Sequence, residues 1–75
     1  MEHQQPAVQQ SSGAVQALLR EITDYCRLMG VAESTFGRQA VNDGKFVNRV
    51  RDGGRITTAT VDRVRAYIEI GRAHV

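Results

Sequence analysis

Residues 36–54, F-G-R-Q-A-V-N-D-G-K-F-V-N-R-V-R-D-G-G, constrain the fold of this chain more than any other stretch. They read as a short helix, a tight polar turn and a second short helix stopped by glycine. Phe36, Gly37 and Ala40 put apolar or small contacts on one face of the first helix. Asn42-Asp43-Gly44 is turn chemistry, and Asp43 is suited to cap the helix that follows. Val47 and Val50, three apart, pin that second helix inward. Lys45, Asn48, Arg49 and Asp52 then share the opposite face. Helices this short are not stable alone, so the flanking sequence must supply the packing.

The flanks have the right periodicity. Val15, Leu18, Leu19, Ile22, Tyr25, Cys26 and Met29 recur at three-and-four spacing, the signature of a long helix with one buried stripe. Ser11 and Ser12 offer caps for it, and Gly30 can end it in the left-handed conformation. The second helix is expected to start at about Glu33, with Glu33, Ser34 and Thr35 near its amino end, because Ala32 has no capping oxygen. The third is expected from Asp43 or Gly44 to Asp52, with Gly53-Gly54 as the stop. A fourth follows a cap at Thr57, with Val61, Val64 and Ile68 inward and Tyr67 beside them. The expected class is therefore all-α, a four-helix domain over residues 13–69. Residues 1–12 read as a disordered arm, rich in glutamine and without Arg or Lys, a passive tail rather than a groove-reading one. Ile70 to Val75 match the translation of a common sequencing adapter and are set aside as a candidate non-native tail.

A chain of 75 residues makes one small domain, and such a domain buries only about 60% of its unfolded surface. That leaves no room for a large cofactor cavity, and no cofactor or small-molecule ligand is expected. The net charge is only +2, but it is unevenly spread. Met1 to Gly37 hold two basic and four acidic residues, whereas Arg38 to Arg65 hold seven basic and three acidic. A basic half this compact points to a polyanionic partner. Cys26 is the single cysteine, which excludes an intrachain disulfide or a zinc-binding cysteine cluster, and it reads as a buried, inert thiol. There is no signal peptide and no apolar run of membrane-spanning length, so a cytoplasmic location is expected. Catalysis is not expected. His3 lies in the arm and His74 in the tail, and no nucleophile–base spacing, phosphate loop or metal-ligand pattern occurs.

From Leu18 to about Ile68 the chain resembles the lambda-repressor-like helix-turn-helix family of phage repressors and small bacterial regulators. The resemblance rests on Phe36, Gly37 and Ala40 in the first short helix, on Val47 and Val50 in the second, and on a following helix that begins near Thr57. It covers four of the five helices usual in that family. Two positions depart from the pattern. Val41 stands where a glycine is usual, and Asn42 where an apolar residue is usual. Either the glycine requirement moves to Gly44, or the turn geometry differs.

The resemblance implies that the third helix enters the major groove of double-stranded DNA. Lys45, Asn48 and Arg49 would then read bases, chemistry that suits guanine O6 and N7 and the edge of adenine. Gly44, Arg51, Arg55, Thr57 and Thr58 would contact the DNA backbone. Arg38 reads equally well as a solvated cation, and Phe46 as core. The function this implies is that of a small transcriptional regulator acting as a dimer or as closely spaced copies. A recombination-directionality or architectural DNA-binding factor is the alternative that shares the DNA. A protein-interaction module, such as an antitoxin or adaptor, is the one that does not.

Overall fold

The computed structural model describes residues 7–8 and 13–73. Four helices form the body: α1 (Gly13–Met29), α2 (Glu33–Val41), α3 (Phe46–Arg51) and α4 (Thr58–Ala73). A two-residue strand, β1 (Ala7–Val8), pairs antiparallel with β2 (Ile56–Thr57), Ala7 opposite Thr57 and Val8 opposite Ile56. Residues 7 and 8 fall inside the segment read from sequence as an arm. The rest of that segment, with the Ser11 and Ser12 caps and His3, lies outside the described residues.

The apolar stripe of α1 packs against α2 and α4, and α2 also packs against α3 and α4. Val15, Leu18, Leu19, Ile22, Tyr25 and Cys26 are all buried. Met29, the last residue of the expected stripe, is exposed because α1 ends there: Gly30 takes φ +69° and Val31 N–H closes on the Cys26 carbonyl at 3.0 Å. Phe36, Leu18, Ile22, Ile68, Val15, Val47 and Val64 are the largest fully buried side chains, so every helix contributes to one core. Tyr25, Phe36 and Tyr67 meet edge-to-face with ring centroids 5.5–6.0 Å apart, tying α1, α2 and α4 at one end of that core. Edge-to-face contact suits the ring quadrupoles, and such pairs add about 0.5–1.5 kcal/mol beyond area burial. The Tyr67 hydroxyl donates to Gln39 Oε1 at 2.7 Å. Burial pushes the Tyr25 hydroxyl and the Cys26 thiol above their ordinary pKa values, which keeps both neutral.

The connection between α2 and α3 explains why these two helices can be so short. Gly37 is buried on α2, and a methyl group there would run into the Asp43 carbonyl and meet Phe46 Cβ at 3.4 Å. Only glycine allows this approach of the turn to the helix. Asn42 closes α2 in the left-handed conformation, φ 59° and ψ 37°. Asn tolerates this conformation better than most side chains. Of the two alternatives, a transfer of that role to Gly44 does not occur, since the positive-φ glycines among the described residues are Gly30 and Gly53. The third helix is also shorter than its sequence pattern, Phe46–Arg51 rather than Asp43 or Gly44 to Asp52. Asp43 shapes a turn instead of capping a helix directly. Its carbonyl accepts Phe46 N–H at 3.1 Å and its carboxylate accepts Lys45 N–H at 3.0 Å.

At the other end of the core, Thr57 Oγ1 accepts the Thr60 N–H at 3.2 Å, the cap expected for α4. That helix continues through Gly71 to Ala73, inside the six residues set aside as a tail. Gly71 lies so close to the Tyr25 ring that a side chain there would collide with it. His74 lies outside the described residues.

Candidate nucleic-acid interface

α3 has one buried and one open face. Phe46, Val47 and Val50 are buried, and Lys45, Asn48, Arg49 and Asp52 are exposed. Arg49 N–H bonds the Lys45 carbonyl at 2.9 Å, so these two residues stand one turn apart on the same side. Asn48 lies between them in sequence and opens to solvent beside them. The three expected base readers therefore share a single exposed surface. Phe46 belongs to the core, as its apolar bulk implies.

A groove of about 230 Å³ runs alongside, between α3, the α3–α4 loop and the start of α4. Val41, Phe46 and Ile56 contribute its apolar lining, and Asp43, Arg49, Arg55, Thr57 and Thr60 its polar lining. Two groups that the sequence treats separately, a base reader and two backbone contacts, thus border the same depression. Gly54 sets the path of the loop. Its N–H bonds the Arg49 carbonyl at 2.8 Å, and a Cβ on it would come within 2.7 Å of that oxygen. Arg55 follows directly, exposed and without a described protein partner. Thr57 combines its place in the groove with the capping bond, and its hydroxyl also donates to Thr60 Oγ1 at 3.0 Å. Thr58 is exposed in the first turn of α4. Gly44 sits in the α2–α3 turn, where a Cβ would lie 3.5 Å from Arg38 Nη1 in ordinary contact.

Arg51 stands apart from this group. Its guanidinium forms a two-pronged pair with Glu33 at the start of α2, Nη1 to Oε1 and Nη2 to Oε2, each 2.9 Å. The Arg51 hydrogen bond holds the Glu33 carboxyl below the ordinary glutamate range, and the same bond raises the arginine. Arg51 also lines a second groove with Gln16, Leu19, Arg20, Thr23, Asp24 and Arg27 of α1. A cation already engaged in this way has less to gain from a phosphate than Arg55 has.

One contact at this surface leaves no trace in the sequence. Asp43 Oδ2 accepts a hydrogen bond from Arg49 Nη2. That bond, followed by the one from Lys45 N–H, draws the Asp43 carboxyl below its ordinary range. A separation of six residues crossing a turn into a helix has no periodic signature. The turn residue and the arginine are recognisable individually, but their pairing is not.

Among the described residues, no group of three His, Cys, Asp or Glu side chains is placed to share a metal ion, and no helix is long and apolar enough to cross a membrane. Comparison of the chain with protein-family models, with curated proteins and with solved structures finds no match.

Proposed function

We propose that this chain is a small sequence-specific regulator of the lambda-repressor-like helix-turn-helix type, which lays α3 in the major groove of double-stranded DNA. The observation that carries this reading is the single open face of α3. Lys45, Asn48 and Arg49 stand together there, while Phe46, Val47 and Val50 anchor the helix from behind. A recognition helix needs a rigid seat and a cluster of long donors. The adjoining groove supports the reading, because Arg55, Thr57 and Thr60 border it and offer a cation and hydroxyls of the kind that contact a sugar-phosphate strand. Single modules of this size bury a modest interface, about 600–1,000 Å² of protein surface. Useful affinity then calls for two copies on neighbouring half-sites.

Selection of bound duplexes from random DNA tests the reading. The expected outcome is a short enriched motif, with a palindrome if two copies bind together. Arg49→Ala should lose preference at one base pair, at a cost of about 1–3 kcal/mol. A wild-type chain that binds every duplex alike, or none, would refute the DNA-reading role, the first result favouring an architectural DNA-binding factor and the second a protein-interaction module.

A further inference from the structure

The Asp43 carboxylate stands directly beside the cations of α3. Asp43 lines the same groove as Arg49 and Arg55 and makes two bonds of different kinds. Oδ1 accepts the Lys45 N–H at 3.0 Å, which closes the turn before the helix. Oδ2 accepts from Arg49 Nη2. The turn itself does not call for a negative charge, because asparagine and serine oxygens accept backbone N–H groups at such positions as well. On a surface that meets phosphate, a carboxylate also opposes the partner. Its charge is therefore better accounted for by Arg49 than by the turn, which a neutral oxygen would also close.

An arginine carries five N–H donors in a planar fork. With one of them spent on Asp43, the others remain for the O6 and N7 acceptors of a guanine. A flexible arginine without such a partner is free to swing onto the nearest phosphate, where it contributes affinity but no sequence information. We propose that Asp43 is a positioning residue for Arg49, which holds the guanidinium in the orientation that reads a base and keeps it off the DNA backbone. The inference rests on the DNA-reading role argued above and adds to it the residue that confers selectivity. The Arg49 hydrogen bond keeps the carboxyl ionised well below neutral pH, so the device is present under ordinary conditions.

Asp43→Asn separates the two bonds, since it retains an Oδ1 acceptor for Lys45 N–H and removes the charge. Asp43→Ser also offers the turn an oxygen but cannot reach Arg49. The measurement is competition binding over duplexes that differ only at the base pair affected by Arg49→Ala, for the wild type, D43N, D43S, R49A and D43N/R49A, each with a thermal melt. Preference at that base pair should fall about 5-fold or more in D43N and D43S, the equivalent of one lost discriminating contact. Binding to unrelated DNA should stay the same or tighten. In the R49A background, D43N should leave base preference unchanged. Undiminished preference in a folded D43N or D43S overturns the proposal, and so does an equal change when Arg49 is absent. A wild type without any base preference is a different result, seen before either variant is made, and it removes the DNA-reading role itself.

Discussion

Arg49 and Arg51 are two residues apart, carry the same charge and have opposite surroundings. Arg49 faces the open side of α3 and is held by a carboxylate of the adjacent turn. Arg51 reaches across to Glu33 on α2. The family resemblance implies a place for Arg51 beside the phosphates, and a partner 18 residues away leaves no trace in local spacing that would show its engagement. The pair is partly open to solvent, with Arg51 44% and Glu33 31% exposed, so it contributes at most about 1 kcal/mol. Its sign with pH follows from the direction of the Glu33 shift. The folded state lowers this pKa, so the contribution is complete above the ordinary glutamate value of about 4.3. It is lost as pH falls from there through the folded value. Glu33→Gln should therefore cost a little stability at pH 7 and flatten the acid side of the stability curve. Urea denaturation at pH 7 and pH 3 measures this. Parallel pH dependences for variant and wild type would show that the pair carries no linkage.

At the scale of elements, the long helices and the places where the chain turns were legible, and the geometry of the α2–α3 turn was not. α1 announces itself by six buried residues at helical spacing, and α4 by Val61, Val64 and Ile68 behind the Thr57 cap. The α2–α3 turn is harder, because its geometry depends on a close approach that periodicity does not encode. The apolar-then-small pair Phe36-Gly37 hinted at it, but the obstacle facing Gly37 is the carbonyl of a turn residue, visible only once the chain has folded back. The strand pair of Ile56–Thr57 with Ala7–Val8 is likewise too short to alternate recognisably. Gly37→Ala tests the turn. The added methyl meets backbone, not a movable side-chain tip, so a loss of about 1–3 kcal/mol is expected. Gly13→Ala is the control, since a methyl at the start of α1 meets nothing within 4 Å. Thermal melts should separate the two, with Gly37→Ala melting lower and Gly13→Ala no lower than the wild type.

At the scale of the whole molecule, the uneven charge acquires a direction. The acidic residues of the amino-terminal half do not simply dilute the basic half. Glu33 pairs with Arg51 and Glu21 with Arg65, so among the described residues two of the seven cations between Arg38 and Arg65 are answered from the first half of the chain. Arg55, beside the groove, is not answered in this way among the described residues. A count of charges along the sequence therefore overstates the field offered to a polyanion, and pairing decides which cations contribute. Salt dependence of binding reads this difference directly, because each phosphate neutralised contributes about −0.9 to the slope of log K against log salt. Arg55→Ala should weaken binding to all duplexes alike and make the slope shallower by about one unit. Arg51→Ala should leave the slope nearly unchanged and lower stability slightly through the loss of Glu33's partner. If Arg51→Ala changed the slope as much as Arg55→Ala, the Glu33 pair would have to open when DNA binds, and the division of labour between the two arginines would be wrong.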